Sequence, residues 1–235
     1  MAKSNLNLIH SEGFAVIKTE ISSLLEAMRS DFIQLFNRIS QHHGCGAVHN
    51  DADVCRLYEN NHSLWVAAYN QLRFHPKVFE IASSKIILDI LNNAGLVSPH
   101  IGAQCIVRAD MPFDDPWRFP PHQDYPFNKG SLNSVTLWVP FQDTGEDMGC
   151  LQVIKGSNKL GLLPEKNNEI IEQFPDINYE SAPIALGEIL CFSQFLIHKS
   201  GFNRSEKIRF SLQLRYNDLA HDEYLSRKLT FSREY

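Results

Sequence analysis

Several features that would direct a chain to nucleic acid, membranes or secretion are missing from these 235 residues. Acidic side chains outnumber basic ones, 27 to 22, and the formal net charge of −5 offers no basic surface for phosphates. No apolar run is long enough to span a bilayer, and Met1 to Asn5 lead into polar sequence without a signal-peptide core. We therefore expect a cytoplasmic protein that binds neither nucleic acid nor membrane.

The cysteines lack any pairing pattern. There are five of them, an odd number, and no two form a CxxC motif. They lie at Cys45, Cys55, Cys105, Cys150 and Cys191. This spacing favours neither a zinc site nor a disulfide framework, so we expect reduced thiols.

The hydrophobic period changes near residue 96. Before it, apolar residues of 21–39 recur at spacings of three and four, which predicts an amphipathic helix, and 59–72 and 76–95 read as two more helices. After it, short β-prone runs alternate with turn signals. The predicted strands are 13–18, 103–108, 134–140, 150–154, 188–192 and 208–215.

This order predicts a mainly β fold with flanking helices. Strands without long helices between them favour an antiparallel barrel or sandwich over a parallel sheet. We expect a single domain over 1–235, with helical support in 1–96, a β core in 97–218 and a tail in 219–235. Residues 158–180 read as an insertion over one barrel mouth, helical near 167–173.

A candidate metal site begins at His122 and Asp124, which follow two prolines. Side chains two apart in an extended segment point the same way, so the imidazole and the carboxylate can face one point. His198, at the end of an apolar run, supplies a third ligand. Two His and one carboxylate form the facial triad of non-heme Fe(II) oxygenases, although each residue alone is more often a packed core group.

Arg209 follows His198 by eleven residues on a predicted strand. Alternation puts Arg209, Ser211 and Gln213 on one face, and a return strand would bring that face into the barrel interior. A guanidinium there needs an anionic partner, because a buried unpaired charge is costly. A dicarboxylate cosubstrate meets that need; the alternatives are a structural salt bridge to an acidic residue or a solvent-facing arginine.

The order of the motifs resembles the phytanoyl-CoA dioxygenase family from about Gly13 to Tyr216. The motifs that carry the resemblance are His122-x-Asp124, Thr136-Leu137-Trp138, Gly149-Cys150-Leu151, Lys155-Gly156-Ser157, Gly187-Glu188, His198 and Arg209. Members of that family are Fe(II)- and 2-oxoglutarate-dependent oxygenases. The resemblance implies a double-stranded β-helix, that is, a cupin-like jelly roll with N-terminal α-helical support.

The resemblance also implies residue roles. His122, Asp124 and His198 would hold Fe(II), and Arg209 with Ser211 would bind the distal carboxylate of 2-oxoglutarate. Three further residues stand where the family contacts the cosubstrate: Gln104, Thr136 and Trp138. A mid-strand tryptophan such as Trp138 is also a common core residue.

Three aromatic residues near the ligand pair are candidates for substrate contact. Tyr125 and Phe127 follow it directly and suit either a substrate wall or rim packing. Trp117 suits either a lid or a local hydrophobic anchor.

The implied activity consumes 2-oxoglutarate and O₂, releases succinate and CO₂, and hydroxylates or otherwise oxidises a C–H bond of a small-molecule metabolite. Halogenating relatives keep a small residue where this chain has Asp124, so hydroxylation or related oxidation is favoured. Two alternatives stay open: a cupin-type metalloenzyme without a cosubstrate, and a non-catalytic metabolite-binding protein. We expect a monomer or a homodimer that uses its N-terminal helices as the dimer face.

Overall fold

A computed structural model describes residues 2–102, 105–114, 118–167, 169–172 and 174–230. The helices are α1 (Ala2–Glu12), α2 (Ser22–His42), α3 (Asp51–Asn60), α4 (His62–Leu72), α5 (Pro76–Ala82), α6 (Lys85–Asn93), α7 (Tyr125–Asn128) and α8 (Asp222–Ser226). The strands are β1 (Phe14–Lys18), β2 (Pro99–Ile101), β3 (Ile106–Asp110), β4 (Ser134–Pro140), β5 (Leu151–Val153), β6 (Glu165–Lys166), β7 (Glu169–Ile170), β8 (Glu180–Ala182), β9 (Glu188–Ser193), β10 (His198–Ser200) and β11 (Arg209–Asp218). Among the described helices, none is both long enough and apolar enough to cross a membrane.

Two antiparallel sheets make up the β core. The larger has the order β1-β9-β4-β11-β2, with β3 also paired to β11, and the smaller has the order β10-β5-β8. This is the predicted jelly roll. β11 lies at its centre because it pairs with β4 along one edge and with β2 and β3 along the other.

The helical half supports the outside of the larger sheet. The predicted apolar stripe lies on α2, where Met28, Phe32 and Phe36 are fully buried. The Phe32 ring lies 5.7 Å from that of Phe141, just after β4, and 5.9 Å from that of Phe210 on β11. These contacts hold α2 against the face of the sheet that is opposite the barrel interior. A Phe→Ala change at such a buried site costs about 3–5 kcal/mol.

The structure differs from the predicted helices in two ways. The helix expected over 76–95 is two helices, because the chain turns at Ser83 and Ser84, and the Ser84 hydroxyl accepts from the Ile87 N–H at 3.3 Å to start α6. Helices α1 and α3 were not predicted. The start of α3 carries a visible signal, since the Asn50 side chain accepts from the Asp53 N–H.

In the insertion over 158–180, the described residues near 167–173 are not helical. It contains the two-residue strands β6 and β7, paired as a small hairpin, and Asn167 adopts a left-handed φ of 55° between them. Its backbone reaches the predicted metal segment, since the Ile170 N–H donates to the Pro121 carbonyl at 3.0 Å. The Gln123 side chain adds two bonds, donating to the Gly161 carbonyl and accepting from the Leu163 N–H. The insertion therefore lies against the mouth of the barrel, as predicted.

Candidate metal centre

The two candidate histidines are held together by the backbone. The His122 N–H donates to the His198 carbonyl at 2.9 Å, and the His198 N–H donates back to the His122 carbonyl at 3.0 Å. This antiparallel bridge sets the two imidazole centroids 4.2 Å apart. Residues 76 positions apart in the chain thus become direct neighbours through main-chain pairing.

Each imidazole is oriented by a carbonyl oxygen two residues before it. His122 Nδ1 lies 2.7 Å from the Pro120 carbonyl, and His198 Nδ1 lies 3.0 Å from the Leu196 carbonyl. Since a carbonyl only accepts, each Nδ1 donates to it, which leaves each Nε2 as the nitrogen that a metal could bind. Burial lowers the pKa of His198 to about 3, so this imidazole is neutral at pH 7, as a ligand must be.

Asp124 completes the group from the start of a short helix. The expected extended segment is wrong here, because Asp124 has helical backbone angles and precedes α7 directly. One carboxylate oxygen accepts from the Thr136 hydroxyl at 2.6 Å, and the other accepts from Arg215 Nη2 at 2.8 Å. Burial alone would raise the pKa of Asp124, but the Arg215 guanidinium outweighs it and holds that pKa well below its usual range.

The donor set fits a divalent metal. His122, Asp124 and His198 are all buried, and one ligand atom from each lies within 4.8 Å of the other two. Among the described residues, this is the group of His, Cys, Asp and Glu side chains that meets these conditions. Three phenylalanine rings border it: Phe119 lies 5.2 Å and Phe127 5.7 Å from His122, and Phe192 lies 4.8 Å from His198. Two imidazole nitrogens and one carboxylate inside an apolar rim suit iron with positions left open.

Arg209 points into the barrel, as predicted, and has an anionic partner of the chain itself. Its Nη2 lies 2.9 Å from one oxygen of Asp110, whose other oxygen pairs with Arg108. Burial alone would raise the pKa of Asp110, but the guanidiniums of Arg209 and Arg108 lower it to about 2. The structural salt bridge considered from the sequence is therefore present.

Two hydrogen-bond donors beside this salt bridge have a weak partner or none. Arg209 Nη1 has only a long contact of 3.5 Å to the Gly201 carbonyl. The Ser211 hydroxyl, two residues along the same face, is fully buried without a hydrogen-bond partner. Arg209 Nη1 and the Ser211 hydroxyl are therefore donors that Asp110 does not use.

The remaining predicted cosubstrate residues lie in different surroundings. Thr136 is on the inward face of β4, where its hydroxyl is bonded to Asp124. Trp138 is two residues further and is buried among Leu151, Leu190 and Phe192. Gln104 is outside the described residues.

The candidate substrate residues that the structure describes have different surroundings. Phe127 is 39% exposed and its ring meets the His122 ring edge-on, so it forms a wall of the site. Tyr125 instead stacks on Phe195 at 4.7 Å and lines a surface hollow of about 480 Å³ with Leu162 and Arg227. Trp117 lies outside the described residues.

Sequence reasoning missed Arg215, Asp110 and Arg108. Arg215 shares the inward parity of Arg209 and Ser211, so the same alternation extended by two residues predicts it. Asp110 is directly opposite Arg209 in the register of β3 with β11, and Arg108 is opposite Ser211. That pairing depends on strand contacts that no local pattern reveals.

Comparison with known proteins places this site in a family. The family model described as Phytanoyl-CoA dioxygenase (PhyH) matches residues 9–211. A methylphosphonate hydroxylase of Gimesia maris is 30% identical over 118 residues, which cover 47% of this chain and 45% of that protein. A phytanoyl-CoA dioxygenase of Arabidopsis thaliana is 34% identical over 103 residues, covering 40% of this chain and 36% of that protein. The matches thus span less than half the length of these relatives.

Solved structures agree in fold. The apo form of the non-heme monooxygenase ThoJ superposes with a TM-score of 0.63 at 18% identity, covering 91% of this chain and 76% of that one. The epimerase SnoN, solved with Fe³⁺, α-ketoglutarate and nogalamycin RO, gives a TM-score of 0.57 at 16% identity, covering 92% and 83%. With a family model that matches most of its length, this chain belongs to the phytanoyl-CoA dioxygenase family.

Proposed function

We propose that this protein is an Fe(II)- and 2-oxoglutarate-dependent dioxygenase that hydroxylates, or otherwise oxidises at a C–H bond, a small-molecule metabolite and releases succinate and CO₂. The observation that carries the proposal is the convergence of His122, Asp124 and His198 within 4.8 Å inside the β core. Bound iron would supply the chelation of the 2-oxo acid and the activation of O₂.

The chain's own part is to fix the ligands and exclude water. The carbonyls of Pro120 and Leu196 keep both Nε2 atoms directed at one point, and Thr136 holds the Asp124 carboxylate in place. Phe119 and Phe127 cover His122 with apolar surface. The insertion over 158–180 closes against the same segment through Gln123.

Arg209 and Ser211 are proposed to receive the distal carboxylate of 2-oxoglutarate. The support is Arg209 Nη1, which has only a long contact to the Gly201 carbonyl, and the unpartnered Ser211 hydroxyl on the inward face of β11. A second carboxylate would satisfy these donors without displacing Asp110 from Arg108.

The substrate class follows from the relatives only in outline. One relative hydroxylates methylphosphonate, so methylphosphonate is a rational first substrate. Asp124 occupies the ligand position that a halide needs, which favours oxidation without halogen transfer. The two alternatives, a cupin-type enzyme without a cosubstrate and a non-catalytic binding protein, are disfavoured by the Arg209 and Ser211 cluster beside the triad.

Anaerobic titration tests the proposal. Adding 2-oxoglutarate to the Fe(II) protein should produce the visible charge-transfer band of the chelate. Succinate, which lacks the keto oxygen, is the matched control and should produce none. Admission of O₂ with a substrate should then release one succinate per oxidised product, whereas metal binding without a chelate band would favour the cosubstrate-independent alternative.

A further inference from the structure

Arg215 is a buried cation whose hydrogen-bonding capacity is only partly used. It is 8% exposed and lies on the inward face of β11, opposite Thr136 in the register with β4. Its Nη2 donates to Asp124 at 2.8 Å and approaches the Gln213 side-chain oxygen at 3.4 Å. Its Nε is buried without any hydrogen-bond partner.

An unsatisfied N–H on a buried guanidinium is costly, so the arrangement calls for a further acceptor. The need for a further acceptor at Arg215 is greater when a divalent ion binds Asp124. The carboxylate then shares its charge between two cations, and the guanidinium stands close to a metal ion that repels it. An anionic oxygen group at the free edge of Arg215 would relieve both problems.

We propose that Arg215 binds an anionic group of the substrate, a carboxylate or a phosphonate, beside the metal centre. This inference rests on the proposed function and adds the charge of the substrate to it. Phe127 faces the same space, since its ring centre lies 6.0 Å from the Arg215 guanidinium carbon and 5.7 Å from the His122 ring. The two side chains together suit a small anion whose alkyl part packs on Phe127.

The cosubstrate is the other possible source of an anion, and its placement argues against it. Arg209 is six residues from Arg215 on the same face, which is roughly 20 Å along an extended strand. A diacid held at Arg209 would lie toward the opposite end of β11 from Arg215. The edge of Arg215 is therefore left for the substrate.

The test uses the anaerobic Fe(II)–2-oxoglutarate form at constant ionic strength. Its chelate band reports the metal and cosubstrate, and the change in that band on adding a probe reports substrate-side binding. The probes are methylphosphonate and propionate, each matched with a neutral counterpart, dimethyl methylphosphonate and propionamide. The wild type should bind each anion at least tenfold more tightly than its neutral counterpart.

The Arg215→Gln variant tests whether Arg215 causes the preference for anionic over neutral probes. The glutamine amide can still donate to Asp124, so at saturating iron the chelate band should form. The variant should lose at least tenfold in affinity for both anions and less than twofold for the neutral probes. Equal binding of anions and neutral probes by the wild type, or unchanged anion affinity in the variant, would overturn the inference.

Two further results would contradict the inference in different ways. A weakened 2-oxoglutarate titration in Arg215→Gln, with anion binding intact, would assign Arg215 to the cosubstrate instead of the substrate. No band in the wild type would overturn the proposed function and this inference with it. If circular dichroism shows Arg215→Gln to be unfolded, Arg215→Lys replaces it: a three- to tenfold loss for the anions supports the inference, and wild-type affinity contradicts it.

Discussion

Two buried Asp–Arg pairs lie along the inward face of β11, and they differ in what surrounds them. At one end, Asp124 accepts from Arg215 and Thr136 and faces the two imidazoles of His122 and His198. At the other end, Asp110 is shared between Arg209 and Arg108, with the Ser211 hydroxyl nearby on the same face.

The difference teaches how one strand can border two regions of opposite polarity. Around Asp124, two imidazole nitrogens and a carboxylate converge, a donor set that would suit a cation. Next to Asp110, Arg209 Nη1 and the Ser211 hydroxyl are donors with weak or no partners, which would suit an anion. We expect each aspartate–arginine pair to stabilise its region and the neighbouring groups to determine which ligand binds there.

The largest effect is expected at Asp124. Asp124→Ala should abolish substrate-triggered 2-oxoglutarate turnover, because a proposed metal ligand is lost. It should also destabilise the fold by about 3–5 kcal/mol, since Arg215 is left unpaired in the interior. Succinate release and urea unfolding measure the two effects.

Asp124→Asn is the matched control. Its amide oxygen can still accept from Arg215, so stability should be largely restored, while iron affinity should fall at least about 100-fold. Retained turnover in either variant would remove Asp124 from the ligand set.

The donor-rich end should control the cosubstrate instead. Arg209→Gln should weaken 2-oxoglutarate binding at least about 30-fold, because a buried charge-assisted contact is lost, and should leave iron affinity unchanged. Titration of the anaerobic chelate band measures the first, and iron titration alone measures the second. Arg204→Gln, at an exposed arginine five residues earlier, is the control and should bind 2-oxoglutarate normally; equal losses in both variants would contradict the assignment.

The Asp110 pair should appear as a pH dependence of stability. Its pKa of about 2 is below the usual value for an aspartate, so its stabilisation is complete above about pH 5 and is lost as pH falls toward 2. The free-energy difference between the wild type and Asp110→Asn should therefore be constant from pH 7 to 5 and shrink by about 1 kcal/mol at pH 3.

Urea unfolding of both proteins at the three pH values measures this difference. Asp89→Asn, which removes a half-exposed partner of Lys85, should change stability by less than about 0.5 kcal/mol throughout. A difference that stays constant down to pH 3 would mean that Asp110 is not held ionised by its arginines.

The smallest effect is expected at the hydroxyl that steadies Asp124. Thr136→Val keeps the shape but removes the 2.6 Å hydrogen bond, so iron affinity should fall about tenfold. Thr144→Val removes a comparable buried hydroxyl whose bond goes to the Gln142 carbonyl. It should cost similar stability without changing iron affinity, and an equal loss of iron affinity in both would show that the effect is not specific to Asp124.

Much of the site was predictable because its signals are local. The spacing of His122 and Asp124, the apolar run before His198 and the alternation around Arg209 each identify a side chain from a few neighbours. The strand β4 was predicted at its observed bounds for the same reason. The predicted helix over 76–95 failed because a serine cap at Ser84 competes with continuous helical periodicity.

Other features have no local signal. The helical prediction near 167–173 failed because two short strands pair there and contact Pro121. Likewise, nothing near Asp110 in sequence indicates that it will lie opposite Arg209, 99 residues away. Long-range register decides such pairs.

The sequence by itself determined the residue types of the candidate metal ligands and the inward direction of Arg209, because these depend on residue chemistry and on the two-residue period of a strand. Only the tertiary structure decided which groups meet: His122 with His198 through a backbone bridge, Asp124 with Arg215, and Asp110 with Arg209. The physical reason is that charge and hydrogen-bond partners are set by antiparallel pairing between segments far apart in the chain, which no short stretch of sequence contains.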